Sequence, residues 1–531
     1  MRLLAIYVRC AAILLGSVLV YTPAKAADIF IAQNAAGANS GQSCANAYAY
    51  GFFNSASNWG NGASQIGPGT TVHLCGKITA QLTAQGSGSS GSPITMFFEP
   101  GASITLSVCP SSGCLGISGL SYITVDGGAT CGWVSGALVS CNGSVLATAS
   151  GSAFGNGGTS SFGIEATNCA YCEIRNLQVS VYQHTSSSDS PNGDMRGIDQ
   201  LGIKTPGATF LVHHNIVHEA ASAIVYVPGS SNDSGLQVYN NYLYNSNSGL
   251  DISNNNNGSL TAALVHDNHF GSNSNWDTAG CAYHHNSLHA FAYTTTNSGI
   301  QYYNNLIDGN WGGCPTSELF LEGSGSLNNN CTVFNNLFLA TYAQENNGVV
   351  SITCGGMVRF FNNTLIGSLQ SGDTCLSIQG TSGASVYVEN NIISGCNTLL
   401  ESGNPANFWA TWNYNVWGGD PSGTPWALSC GNSGCSYYSY SGWQSACSCD
   451  SKSTFGSSTS YVSVNTNGTL ASGSPALGVG VNLSNLGIIP LDSDNAGIAR
   501  PANGSWVAGA FTAGTSNAKP APPTGISVVI R

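Results

Sequence analysis

Charge is what this chain has least of. Only 7% of its 531 residues are Asp, Glu, Lys or Arg, with 12 cations set against 24 acids. A formal net charge of −12 leaves no basic footprint for DNA or RNA, so no nucleic-acid partner is expected. Long apolar runs are missing too. After residue 26 none approaches the ~18 residues of a membrane-spanning helix, so no membrane span is expected. A Walker loop, a dinucleotide fingerprint and a Gly-x-Ser-x-Gly elbow are all lacking, which argues against nucleotide and esterase chemistry. So acidic a chain also repels a polyanionic substrate unless local cations or a bound metal reverse the sign.

What is present is Gly, Ser, Asn and Thr, with 42% hydrophobic residues scattered in short pieces. Many short strands with Gly- and Asn-rich turns fit all-β structure. Residues 1–26 stand apart. Arg2 and Arg9 precede an apolar stretch from Cys10 to Val20, and Ala24-Lys25-Ala26 forms a small-x-small cleavage site. This reads as a secretory signal peptide, and a secreted product, extracellular or periplasmic, is expected. Its removal leaves nine cations against 24 acids, a net charge of −15. It also leaves 18 cysteines, an even number that reads as a disulfide set in an oxidising compartment. Local candidates are Cys109–Cys114, Cys131–Cys141, Cys281–Cys314 and two pairs among Cys430, Cys435, Cys447 and Cys449. Cys169 and Cys172, in CAYC, read as a disulfide rather than half a zinc or redox site.

One phrase recurs seven times: VHHNIV, VYNNYL, VHDNHF, YYNNLI, VFNNLF, FFNNTL and VENNII. Its fourth residues are Asn215, Asn241, Asn268, Asn305, Asn336, Asn363 and Asn391, in steps of 26, 27, 37, 31, 27 and 28. A fixed period of about 27 residues marks stacked coils. Asn at one place in each coil serves as a positive-φ turn residue and as a ladder whose amides bond from coil to coil at the ~4.8 Å strand spacing. Asn176, in IRNLQV, is expected to belong to it, which makes the step to Asn215 39 residues. A second strand follows in each coil: SAIVYV, SGLDIS, NSLHAF, SELFLE, GVVSIT, CLSIQG and TLLESG. Strands recurring once per coil must run parallel, so the expected fold is all-β, a right-handed parallel β-helix. Residues 27–511 would form it, with an entry cap before about Pro100, and 512–531 would be a flexible tail.

The motifs GWQSACSCDSKS (442–453), GSPALGVGVNL (473–483) and DSDNAGIARPANGSWVAGAF (492–511) carry a resemblance. They resemble the last coil and closing segment of secreted β-helix proteins of the pectate-lyase-like superfamily, including polysaccharide lyase and chondroitinase-like members. The resemblance implies a polysaccharide partner and lyase- or hydrolase-like cleavage. For a uronate lyase it implies a Lys or Arg that abstracts the proton, often beside calcium. Arg196, Asp199 and Lys204 flank the first long loop, and Arg196 and Lys204 are the cationic candidates. The Asp-rich and Gly-His-Gly motifs of a polygalacturonase-like hydrolase are absent. The tail sequence NAKPAPPTGISVVIR resembles the opening strand of a fibronectin type III module, but stops far short of a domain.

Counting two residues before each ladder Asn gives an outward column of His213, Tyr239, His266, Tyr303, Phe334, Phe361 and Glu389. Such rings either stack on one another or offer a surface to sugars. Aligning the second strands gives Val225, Asp251, His289, Phe320, Ser351 and Ser377, and two residues on, Val227, Ser253, Phe291, Glu322, Thr353 and Gln379. Asp251 and His289 then fall on adjacent coils with Glu322 one coil further. A carboxylate beside an imidazole is the arrangement of a general acid or base. The expected roles are His289 as base or acid, Asp251 orienting it and Glu322 as second carboxylate. The long coil's loop adds Trp276, Asp277, Tyr283, His284 and His285, and the next adds Trp311. With Tyr239 and Tyr303 these aromatics and histidines are the expected substrate contacts. His284, His285, His289 and Asp277 or Asp251 could converge on a metal, though HH followed by H is no zinc spacing. The excess of carboxylates suits calcium equally, and no cofactor is identified. A monomer is expected. The alternative reading is a non-catalytic rod for extracellular structure or adhesion.

Overall fold

A computed structural model describes residues 28–512, apart from segments 150–159, 183–193, 230–231, 255–257, 278–280, 282–283, 294, 324–326, 343–347, 369–372, 381–382, 404–408, 420–423 and 432–433. The signal segment, the tail after 512, Tyr283 and most of the first long loop therefore lie outside the described residues. The chain is a parallel β-helix, as its period predicts.

Each coil contributes to three parallel ladders rather than two. The strands ending in the phrase form the first, with Val212, Val238, Val265, Tyr302, Val333, Phe360, Val388 and Trp412 in register and pointing inward. The two or three residues after the ladder Asn form the second, in which Ile216, Tyr242, His269, Leu306, Leu337, Thr364, Ile392 and Val416 are in register. The third is the predicted second strand, with Ile198, Ile224, Leu250, Leu288, Leu319, Val350, Leu376 and Leu400 inward. The inward positions of the first and third ladders are essentially sealed from solvent, and strand alternation places their neighbours outside.

The ladder is real and one rung longer, ending at Asn415. Each amide donates to the next Asn carbonyl, at 3.1 Å from Asn215 to Asn241 and 3.0 Å from Asn391 to Asn415. Each also donates to a first-ladder backbone carbonyl of the preceding coil, as Asn305 does to Val265 at 3.0 Å. Two expectations are corrected. The positive φ falls one residue earlier, on His214, Asn240, Asp267, Asn304, Asn335, Asn362, Asn390 and Tyr414. Asn176 occupies that turn position (φ 59°), and the N–H of Leu177 takes the first bond to Asn215. The turn needs a left-handed residue, and Asn tolerates it. The ladder position needs a buried amide. Asn-Asn supplies both.

The ends are closed. Helix α1 (Tyr50–Asn54) buries Phe53 against Trp59 at the first coil, and helix α2 (Tyr440–Cys447), capped by Ser439, packs Trp443 on Trp412 at the last. The closing segment does more than finish a coil. From about residue 457 it runs back along the solenoid as a strap, burying Tyr303, Phe334 and Phe361 beneath Leu483, Leu491 and Trp506. The turn residues hold it: Asn390 donates to the Val481 carbonyl and accepts from its N–H, both at 2.8 Å, and Asn362 donates to the Val507 carbonyl at 3.0 Å. A two-stranded hairpin at 132–139 covers earlier coils, where the Trp133 N–H reaches the Asn240 carbonyl at 3.0 Å. Disulfides join Cys109–Cys114, Cys131–Cys141, Cys169–Cys172, Cys281–Cys314 and Cys447–Cys449, as expected, and also Cys44–Cys75, Cys331–Cys354 and Cys375–Cys396.

Candidate functional site

The third ladder's outer face carries the predicted column in the predicted register. Val225 pairs with Asp251, Asp251 with His289, His289 with Phe320, and Phe320 with Ser351. A cleft of about 240 Å³ opens over it, lined by Asp194, Arg196, Ser222, Val225, Asn247, Ser248, Asp251, Ser253, His284, Asn286, His289 and Phe291.

His289 stands between two carboxylates. Its Nε2 is 3.0 Å from Glu322 Oε2 and its Nδ1 is 3.8 Å from Asp251 Oδ1. Each carboxylate is anchored in turn. Asp251 accepts from Ser248 Oγ at 2.7 Å and from Ser222 Oγ, and Glu322 accepts from Tyr293 Oη at 2.6 Å. The hydrogen bond from His289 is the main influence holding the Glu322 pKa below the usual carboxylate range; burial works the other way. The imidazole is fixed by rings: Phe320 lies parallel at 5.0 Å and His284 at 5.4 Å. Burial and the neighbouring His289 push the His284 pKa down, against the pull of Asp251 and Glu322. Such an arrangement can hold a proton at His289, move it between the ring and a ligand in the cleft, and keep the ring's orientation while it does so.

Arg196 reaches the cleft from the coil three before that of His289, stacked through Ser222 and Ser248. Its Nη1 donates to Asp199 Oδ1 at 2.7 Å, its Nη2 to Asp194, and its Cζ sits 5.1 Å over the Phe162 ring. Burial opposes its charge, but the Asp199 and Asp194 carboxylates more than offset this and hold its pKa above the ordinary value. Burial lifts Asp199, whose side chain is fully enclosed, to about 6. It is thus Arg196, and not Lys204, that brings a cation to the cleft, and its register opposite Ser222 is the reason.

Other expected contacts are corrected. Lys204 is exposed, past the end of its strand, and does not line the cleft. Trp276 and Trp311 are fully buried wedges whose indole N–H groups donate to the carbonyls of Asn245 (2.7 Å) and Asp308 (2.9 Å), so they offer no platform. His285 is buried too, turned toward Asp277 at 3.3 Å, and burial pushes its pKa down to about 4. Tyr303 lies under the strap. Tyr239 is half-buried on the first ladder, on a different face. Of the aromatic and imidazole contacts only His284 joins the cleft, and Tyr283 lies outside the described residues. Among those residues no group of three His, Cys, Asp or Glu is disposed to hold a metal.

The first-ladder column does stack: His213, Tyr239, His266, Tyr303 and Phe334 follow at 4.5, 5.2, 4.7 and 4.7 Å with planes 4–10° apart. Faces press on faces, leaving ring edges outward. Stacking consumes the surface that a sugar would use, so this column is scaffold.

Family models and curated proteins give no match to this sequence. Several solved structures are similar. The crystal structure of pectate lyase Pel9A aligns over 92% of this chain and 97% of its own, at 12% identity and a TM-score of 0.33. A likeness at that level adds nothing to the reading of the cleft, which rests on its own geometry.

Proposed function

We propose that this chain is a secreted, carbohydrate-active β-helix whose third-ladder cleft binds a polysaccharide and cleaves it by acid–base chemistry. The observation that carries the reading is the imidazole of His289 set between Asp251 and Glu322 at an open cleft. In the proposed mechanism His289 transfers the proton, Asp251 holds the ring's second nitrogen toward the cleft, and Glu322 stabilises the imidazolium. His284 contacts the substrate beside the reacting bond. Secretion is supported by a disulfide set that an oxidising compartment would maintain.

The test is a polysaccharide panel read by reducing ends and by the ultraviolet absorbance of unsaturated products, with His289→Ala and Glu322→Gln beside the wild type. Cleavage lost in His289→Ala and reduced at least tenfold in Glu322→Gln is the expected result. The absorbance separates lyase from hydrolase products. Cleavage unchanged in His289→Ala refutes the mechanism, and neither cleavage nor glycan binding points to the structural rod.

A further inference from the structure

The cleft's charge identifies the sugar it takes. Two carboxylates line the cleft, Asp194 and Asp251, and Glu322 lies behind His289; counting His289 as a cation, these three stand against it and Arg196, whose charge is shared with the enclosed Asp199. Arg196, the one Lys or Arg lining the cleft among the described residues, has each arm committed, one to Asp194 and one to the enclosed Asp199. Turning it toward a ligand anion would strip a buried carboxylate of its partner. His284, beside His289, is held toward the neutral form. An incoming uronate therefore meets unneutralised carboxylates and no free cation to receive it.

The hydrogen-bonding inventory points the same way. Asp251 accepts one bond at each oxygen, from Ser222 and Ser248, and an ionised carboxylate has lone-pair sites for about four. At Asp251 the surplus is acceptors. A hydroxyl-only sugar would leave much of that surplus without a strong donor, whereas an ammonium brings three donors and a charge of the right sign. The His289 ring lies parallel to Phe320 at 5.0 Å and to His284 at 5.4 Å, so rings of the protein already engage it and the polar groups of the cleft decide the fit.

We propose that the cleft recognises a protonated amine on its glycan, making an amino sugar, and not a uronate, the unit bound against Asp251 and Asp194. This rests on the reading of the cleft as a glycan site.

Calorimetry at pH 6 on the full secreted chain tests it, with three tetramers as probes: β-1,4-linked glucosamine, its fully N-acetylated form, and α-1,4-linked galacturonate. The glucosamine tetramer is expected to bind at least tenfold tighter than the others, more weakly as salt rises, and about tenfold more weakly to Asp251→Asn and to Asp194→Asn. The second variant is exposed and guards against misfolding of the first. Galacturonate or N-acetylated binding that matches or exceeds glucosamine binding, and is lost in His289→Ala, overturns the amine proposal while keeping the glycan site. Glucosamine binding indifferent to both Asp variants also overturns it. No binding by any of the three overturns the amine proposal and the glycan reading together.

Discussion

Replacing Asn305 by Asp would separate the ladder's hydrogen bonding from its packing. The carboxamide of Asn305 is fully buried and makes four bonds. Its Nδ2 donates to Asn336 Oδ1 at 3.1 Å and to the Val265 carbonyl at 3.0 Å. Its Oδ1 accepts from the backbone N–H of Asn268 at 3.0 Å and from Asn268 Nδ2 at 3.1 Å. Asp has nearly the same shape, so no cavity forms and both accepting contacts survive. The two donated bonds become oxygen facing oxygen. A buried polar group left without its partner costs about 1–3 kcal/mol, so two give about 2–6 kcal/mol at neutral pH. The introduced carboxyl regains a donor only when protonated, so its pKa in the fold lies above its unfolded value. Its stabilising contribution is then present at low pH and lost as pH rises through the folded pKa. Urea unfolding followed by tryptophan fluorescence at pH 4 and pH 8, disulfides intact, reads the difference from wild type. A deficit of several kcal/mol at pH 8 that shrinks toward pH 4 is expected, and Asn305→Ala should show a deficit independent of pH. A variant as stable as wild type at pH 8, or one whose deficit ignores pH, would refute the argument that the ladder works through directed amide bonds.

Glu318 is buried in the solenoid, and burial pushes its pKa well above the ordinary value. Its contribution to stability is present at acid pH and declines as pH rises above the usual Glu range, so Glu318→Gln should raise the urea midpoint at pH 8 and leave it unchanged at pH 4. Glu322 has the opposite sign: depressed chiefly by its bond from His289, it contributes above the usual Glu range and loses that contribution as pH falls through its folded pKa. Glu322→Gln should therefore flatten the acid limb of the stability profile. Asn390→Gly keeps the left-handed turn (φ 61°) but removes both bonds to Val481, and should expose 457–512 to limited proteolysis while the circular dichroism of the coils persists.

The parts of the fold that repeat every coil are legible in the residues. A buried amide ladder and an alternating third strand leave period-locked positions, so the register of Asp251, His289 and Glu322 can be counted off from the spacing alone. What occurs only once cannot. The second ladder does recur, but it is two or three residues long in most coils, too short for alternation to declare itself. Trp276 and Trp311 sit among Gly, Ser and Asn, where an aromatic in a loop reads as exposed; the carbonyls that accept their N–H groups belong to the turn of another coil and to a residue three before. The burial of Tyr303 depends on Leu483, Leu491 and Trp506, almost two hundred residues downstream, and nothing local encodes a strap that doubles back.

The outward columns show why a shared scaffold leaves so little room for a site. Parallel in-register stacking places each side chain about 4.8 Å above its counterpart, which suits rings and amides and disfavours like charges. Along the first ladder the column runs Asp126, Arg175, His213, Tyr239, His266, Tyr303, Phe334 and Phe361, neutral or paired at each step. The third ladder departs from this where Glu165 stacks on the enclosed Asp199, and again where Asp251 and His289 follow one another and Glu322 closes on His289 from the next coil. An isolated carboxylate there would be a liability to the stack. Asp251 is tolerated because Ser222 and Ser248 each donate a hydroxyl to it, and Glu322 because Tyr293 and His289 bond to it. Ser222 and Ser248 are themselves in register, one coil apart, so the serine column that anchors Asp251 is a second, independent sequence feature committed to that carboxylate. Replacing both serines by Ala should therefore impair His289-dependent cleavage in the reducing-end assay while leaving the Asn ladder, and with it the fold, intact.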